Sequence, residues 1–490
     1  MTTVPDLYRI LPEVILTVTG ILIMLIDAAM APAASRRSLG WLAAIGTTVA
    51  LWASLWQLSL PAGTAFFSTI QTDAFSVFFH VLICGIVLVA LLLSLDTLPA
   101  NQHHRGEYFA LIVFGAVGMC LLTSAVELLV VFISLEISSI STYILAGYRK
   151  NTGKSPEAAI KYFLLGSFAT GFLLYGVALI FGATGSTQIN DIATLIPIAK
   201  SHSLVVISLA LILVGVLFKV SAVPFHVWTP DVYEGAPSPV VALMSTAPKA
   251  AAFALLIRIV YGSFPLLRPM WLPLIWIVAV ASMTIGNLAA MRQDNVKRML
   301  AYSSIAHAGY LLAAFAGIGV SGIAAAAFYI AAYAAMNVGI FAVVTIVSGY
   351  DEHLPLIQDF RGLIYRSPLL GGLLLLFLLS LIGIPFTGGF FGKFYSFSTA
   401  LQGGAVWLGV IGLLNSGLAA YYYLKLAVSV ARAPVAGTPE PPRPQLGLAA
   451  SVALAFAAAA TLILGMVPGQ VLNAAQSAAR TFTFQISAEK

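Results

Sequence analysis

At 490 residues, 60% hydrophobic and only 9% charged, the chain lies far outside the soluble globular range, where about a quarter of residues are charged. A water-soluble fold is excluded. The formal net charge of +6 does not point to nucleic acid either, because the basic residues are scattered over short loops with no cluster or stripe.

Apolar runs of roughly 20 residues, enough at about 1.5 Å per residue to cross a core of about 30 Å, recur along the whole chain. Runs such as Leu204 to Val216 do not alternate in polarity, as the strands of a membrane barrel would. The fold class is therefore all-α and polytopic, in a lipid bilayer. The opening residues lack the basic start and cleavage site of a signal peptide, so the first apolar run reads as a permanent span. Fourteen spans are expected near 11–30, 40–60, 74–95, 108–124, 126–147, 157–182, 203–228, 238–261, 272–291, 300–317, 323–348, 367–401, 405–430 and 447–468. The only cysteines, Cys84 and Cys120, fall inside spans with no C-x-x-C spacing, so no metal site or disulfide framework is expected.

Connections after odd-numbered spans hold Arg36, Arg37, Arg105, Arg149, Lys150, Lys154, Arg292, Lys297, Arg298, Arg361, Arg366, Arg432 and Arg443; the others hold little beyond Lys200 and Arg268. Because Lys and Arg stay on the side of synthesis, the odd connections should be cytoplasmic and both termini outside. Ser138-Ser139-Ile140 in span five matches Ser303-Ser304-Ile305 in span ten, Lys161-Tyr162-Phe163 falls on Phe328-Tyr329-Ile330, and Arg258 falls on Lys425. Five spans is an odd number, so the two units implied must be inverted relative to each other, as in transporters. The expected division is 1–106, a first five-helix repeat at 107–265, a second at 266–432, and a last span with a tail at 433–490. Span twelve is too long for one crossing and carries Gly383-Ile384-Pro385 and then Gly388-Gly389, and span seven carries Pro224. Helix breaks are expected at both places.

A charge at mid-bilayer costs about 2.5–3.5 kcal/mol even on the lenient scale, so intramembrane charges should face protein or water. Glu136 and Lys249 lie near the centres of spans five and eight, Lys219 slightly to the cytoplasmic side in span seven, Lys161 near the cytoplasmic end of span six, and Lys393 beyond the break in span twelve. A buried lysine loses part of its preference for the charged state and a nearby carboxylate restores it, which suits a proton relay. In this reading Glu136 modulates Lys219, Lys161 tunes that pair from the inner side, Lys249 is the central carrier and Lys393 the exit. His226 and His307 could extend the relay. The competing reading is static ion pairing and snorkelling, which suits Lys161 best and Lys249 least; for Arg258 and Lys425, near helix ends, snorkelling is preferred. Gly317-Ile318-Gly319-Val320-Ser321-Gly322 matches a dinucleotide-binding pattern but lacks the strand and the acidic residue that the pattern needs. Gly392-Lys393 lacks the rest of a phosphate loop.

The stretch from Phe218-Lys219-Val220-Ser221-Ala222-Val223-Pro224-Phe225-His226 to Tyr233-Glu234-Gly235-Ala236-Pro237 resembles the seventh-span signature of the antiporter-like subunits of proton-pumping NADH:quinone oxidoreductase, respiratory complex I. Leu135-Glu136-Ile137-Ser138-Ser139, Pro248-Lys249-Ala250 and Gly388-Gly389-Phe390-Phe391-Gly392-Lys393-Phe394 are similar to further motifs of that family. Lys393, where another branch has glutamate, and the absence of a long C-terminal lateral helix make the chain most similar to the subunit N branch. The resemblance implies the roles of modulating carboxylate, paired lysine, central lysine and exit lysine for Glu136, Lys219, Lys249 and Lys393. It also implies a bacterial cytoplasmic membrane, neighbouring membrane subunits including antiporter-like homologues, and NADH, FMN, iron-sulfur and quinone chemistry on other chains. A subunit of a multi-chain sodium/proton antiporter or membrane-bound hydrogenase, and a non-transporting scaffold, are the alternatives.

Overall fold

The computed structural model describes residues 5–31, 34–98, 106–150, 152–317, 319–349, 352–434 and 444–482. Arg105, Ile318, Arg443 and the tail 483–490, which entered the sequence reading, lie outside the described residues. The principal helices are α1 (Leu11–Ala29), α2 (Arg37–Trp56), α3 (Ala74–Thr97), α4 (Gly106–Ser124), α5 (Leu128–Ala146), α6 (Lys154–Thr184), α7 (His202–Lys219), α8 (Thr229–Gly235), α9 (Ser238–Met244), α10 (Ala247–Ile257), α11 (Arg268–Met291), α12 (Val296–Ala313), α13 (Val320–Ser348), α14 (Pro368–Ile382), α15 (Gly388–Gln402), α16 (Val406–Ala431), α17 (Leu448–Met466) and α18 (Pro468–Ala479). Among the described residues, twelve helical stretches are long and apolar enough to cross a membrane. The broken pair α14/α15 and the helix α16 occupy the places expected for spans twelve and thirteen. One short hairpin, β1 (Gly63–Ala65) and β2 (Ile70–Thr72), sits between α2 and α3.

Local chemistry sets the helix starts. Asp73 accepts from the Ser76 amide while the Ser76 hydroxyl answers the Asp73 amide, a reciprocal cap at the head of α3. Glu127 caps α5 and Asn295 caps α12 through the amides of Val130 and Arg298. Prolines 12, 230, 239, 248 and 368 stand in first turns, where their missing N–H is not needed. The stretch Ser238–Ser263 is wholly enclosed, whereas α1 and α6 bury only about a third of their length. The core is thus the α9–α10 segment with α12 and α13, and the lipid-facing helices surround it.

Three interruptions position the site. The helix α7 ends at Lys219, and the chain turns through Ser221, at φ 63°, before α8. The Trp228 indole donates to the freed Phe218 carbonyl at 3.2 Å. The helix α14 ends at Ile382 with Gly383 in the left-handed conformation, and α15 restarts at Gly388. The third interruption, at Ser245-Thr246, falls just before Pro248, whose missing N–H leaves the Met244 carbonyl without its helical partner. There the Thr246 hydroxyl donates back to the Ala242 carbonyl at 2.7 Å, and Asn337 donates to the Ser245 hydroxyl at 2.7 Å.

Arg258 corrects the snorkelling expectation. It is 2% exposed, donates through NH2 to both Asp73 oxygens at 3.0 and 3.1 Å and through Nε to the Thr123 carbonyl at 2.6 Å, and lies over the Phe75 ring. Lys425 does reach the surface, where it pairs with Asp294. Of the dinucleotide-like segment, Gly317 follows the helical turn after α12, and Val320, Ser321 and Gly322 open α13.

The break in α14/α15 depends on close backbone approach. A Cβ on Gly389 would stand 1.8 Å from the Ser380 carbonyl oxygen, whereas one on Gly372 meets nothing within 4 Å. Gly389→Ala should therefore destabilise the chain by more than about 2 kcal/mol, while Gly372→Ala should be neutral or stabilising by under about 1 kcal/mol. Thermal unfolding of the two variants in the same detergent measures the contrast.

Candidate functional site

Three buried lysines, Lys219, Lys249 and Lys393, stand beside helix interruptions. Lys219, the last residue of α7, is 4% exposed and donates to the Ser139 hydroxyl at 2.8 Å and to Tyr162 OH at 3.3 Å. The rings of Tyr143 and Tyr162 lie 5.6 and 5.3 Å from its ammonium, close enough to stabilise a cation. Glu136 stands one turn before Ser139 on the same helix. It makes no ion pair with Lys219 among the described contacts, and its Oε1 is buried without a hydrogen-bond partner. Ser139 and Tyr162, not the carboxylate, hold the ammonium.

Lys249 lies in the first turn of α10, immediately after the third interruption, and is 3% exposed. It donates to the Ser304 hydroxyl at 2.5 Å and the Ser304 carbonyl at 3.3 Å. That hydroxyl also bonds Tyr333 OH at 2.7 Å and reaches Tyr233 OH at 3.5 Å. One turn further along α12, His307 is fully buried between two phenols, with Nδ1 at 3.0 Å from Tyr329 OH and Nε2 at 3.2 Å from Tyr423 OH. The Tyr423 hydroxyl bonds Ser303 in turn.

Lys393, 5% exposed, reaches back across the second break. Its ammonium donates to the carbonyls of Leu381 and Ile382 at 2.8 and 2.9 Å and to the Ser416 hydroxyl at 2.8 Å, over the ring of Tyr310. It satisfies the carbonyls orphaned at the end of α14, where the helix dipole favours a cation. Tyr310 OH accepts from Asn287, whose Oδ1 accepts from Tyr422.

Lys161 stands apart. It is 41% exposed at its side chain and pairs with Glu157 at 2.7 Å and Asp231 at 2.8 Å, so it touches neither Glu136 nor Lys219 among the described contacts. Arg298 binds Asp231 and Glu234, and Lys154 binds Glu234, extending this ionic chain. His226 lies in the first interruption, two residues after Pro224, with its Nδ1 buried and unpartnered. Pro385 is exposed, while Gly388 and Gly389 are buried at the start of α15. Sequence reasoning assigned no role to Ser139, Tyr162, Ser304, Tyr333, Tyr329, Tyr423, Ser416, Asn287 or Tyr310. A usable signal was present: Glu136–Ser139 and Ser304–His307 are separated by one turn, which places a hydroxyl on the same helix face as an ionisable group.

Beside this ionic chain, Glu352 accepts from Arg149 at 2.7 Å, from Lys297 at 2.8 and 2.9 Å and from Ser238. Burial works against its charged form, but Lys297 and Arg149 outweigh burial and hold its carboxyl below the usual carboxylate range. Among the described residues no group of three or more His, Cys, Asp or Glu side chains could hold a metal ion.

A polytopic helical interior with lysines at helix interruptions, set among hydroxyls and an imidazole, is the architecture of an antiporter-like membrane subunit. The family described as NADH:quinone oxidoreductase/Mrp antiporter, transmembrane, matches residues 125–419. NADH-quinone oxidoreductase subunit N 2 of Koribacter versatilis is 50% identical over 97% of both chains, and subunit N of Trichlorobacter lovleyi is 43% identical, also over 97% of both. A chain of respiratory complex I from Thermus thermophilus with bound aureothin superposes with a TM-score of 0.81 at 36% identity, covering 94% of this chain and 98% of that one. The chain belongs to the NADH:quinone oxidoreductase/Mrp antiporter family, in its NADH-quinone oxidoreductase subunit N branch.

Glu352→Gln removes the carboxylate that buried Lys297 and Arg149 both bond and should cost about 3–5 kcal/mol at neutral pH. Because the folded carboxyl titrates below its unfolded value, this contribution is complete above about pH 4.3 and is lost as pH falls through the folded value. Unfolding midpoints of the wild-type and Glu352→Gln chains should differ most at neutral pH and converge in acid.

Proposed function

We propose that this chain is the N-type membrane subunit of a bacterial NADH-quinone oxidoreductase, and that it relays protons across the cytoplasmic membrane with both termini outside. The observation that carries the reading is the placement of three enclosed ammonium groups at three helix interruptions, each bonded to a hydroxyl that can both donate and accept. A lysine that gives up its proton leaves a neutral amine able to take the next one, and a serine or tyrosine between lysines can receive on its oxygen while releasing from its O–H.

Each residue then takes a role. Protons enter on the face of Lys161, where Asp231 and Glu157 hold it charged. Glu136 modulates Lys219, whose ammonium rests on Ser139 and Tyr162. Lys249 is the central carrier, with Ser304 and Tyr333 as its first acceptors. His307 lies between Lys249 and Lys393, and Lys393 releases outward, with His226 a second imidazole at the first break. The breaks at Pro224 and at Pro385, Gly388 and Gly389 belong to two inverted five-helix units, 107–265 and 266–432. The energy comes from NADH oxidation with FMN, iron-sulfur clusters and quinone on other subunits, transmitted through neighbouring membrane subunits that include antiporter-like homologues. The identities of 43% and 50% to subunit N proteins over nearly the full length support this assignment over a sodium/proton antiporter or a membrane hydrogenase.

Lys249→Ala should lower proton pumping to below about a tenth of wild type in membranes where the complex is assembled, because the carrier is gone. Ser304→Ala should fall between the two. Pumping at wild-type level in assembled Lys249→Ala complex would instead make the charges static and the chain a scaffold.

A further inference from the structure

A buried carboxyl–imidazole pair lies outside the lysine relay, in the N-terminal spans. Glu13 stands in the first turn of α1 and His80 in the second turn of α3, 3% and 0% exposed. His80 Nε2 lies 3.4 Å from Glu13 Oε1, 2.9 Å from the Ser124 hydroxyl and 3.1 Å from the Cys120 carbonyl. A carbonyl only accepts, so Nε2 carries a hydrogen. Neither Glu13 oxygen nor His80 Nδ1 has a hydrogen-bond partner. The ionisable groups nearby are the free thiols of Cys84 and Cys120, and Asp73, the N-cap of α3, which Arg258 already neutralises. No lysine or arginine pairs with Glu13 among the described residues.

Counting charge decides the state of the pair. With Glu13 ionised and His80 neutral, the pocket holds an uncompensated anion, which burial strongly penalises. One added proton makes the pair neutral overall, whichever member carries it. A second proton would leave a net cation with no acceptor for Nδ1.

From the pair, neighbouring residues lead toward a cavity. Ser124, on Nε2, ends α4, and the preceding Thr123 carbonyl accepts from Arg258. Arg258 lines a cavity of about 140 Å³ with Gln71, Asn190 and Thr481. We infer that Glu13 and His80 together form a proton-binding site that holds one proton and exchanges it with water through Ser124 and the cavity at Arg258. Calling the side of that cavity the outer one rests on the positive-inside reading, and the use of the site in turnover rests on the function proposed above.

Infrared spectroscopy of the full-length chain in lipid nanodiscs reads the proton, with Glu13→Gln isolating the Glu13 band. If the site holds one proton, His80→Gln must return it to Glu13, so that variant should show a protonated carboxyl at neutral pH that shifts on transfer to D2O. A carboxylate in His80→Gln, or a band that does not exchange, would overturn the proposal. In the assembled complex, Glu13→Gln should lower protons pumped per NADH oxidised by about twofold or more, with assembly checked by co-purification of partner subunits. Lys249→Ala is run alongside. If it still pumps, the relay reading fails and the infrared result alone decides the site. If it is silent while Glu13→Gln pumps at the wild-type ratio, a role for the pair in turnover is overturned.

Discussion

Backbone polar groups in a bilayer have no water to bond, so every helix interruption must be answered from within the protein. This constraint organises the interior. At the end of α14 the freed carbonyls are taken by the ammonium of Lys393; at the end of α7 the Phe218 carbonyl is taken by Trp228; at Ser245-Thr246 the hydroxyls bond back to their own helix. The polar groups that mend the breaks are drawn from the same population that surrounds the lysines. Backbone repair and a proton path are therefore two uses of one set of side chains.

The two kinds of charge in the chain differ in their surroundings. Toward the basic connections, Lys154, Lys161, Arg298, Asp231, Glu234 and Glu157 form a chain of direct, partly solvated ion pairs. Deeper in, Lys219, Lys249 and Lys393 have hydroxyl and carbonyl partners and no carboxylate in contact among the described residues. A carboxylate in contact would fix a lysine in its charged state, whereas neutral acceptors leave the amine state accessible.

The hydropathy pattern was enough to mark the long apolar helices, because a span is defined by its own residues. The breaks in α7/α8 and α14/α15 were legible from Pro224, Pro385 and the glycines around it. The break before Lys249 had its signal in Pro248, which was not read as a breaker because the apolar run continues through it, and Asn337, which bonds Ser245 there, lies 92 residues away. The lysines themselves stood out through the cost of burying charge. Their partners did not: Ser139 lies 80 residues from Lys219 and Ser304 lies 55 from Lys249, separations with no local signature. Arg258 was misread for the same reason, and Glu13 escaped notice because an acid near the start of a span looks like an interfacial residue until its burial is seen.

The clasp between Asp73 and Arg258 also bears on how the chain is made. The two residues are 185 positions apart, which at ribosomal speed is roughly 10 to 40 s of synthesis. For that interval the head of α3 is already in the membrane while the arginine that neutralises its cap has yet to be translated. The first three spans can settle only once the fully enclosed segment containing Arg258 has been inserted. The N-terminal helices therefore wait on the core, and a ribosome stalled between α3 and Arg258 leaves behind a fragment with an unclosed charge.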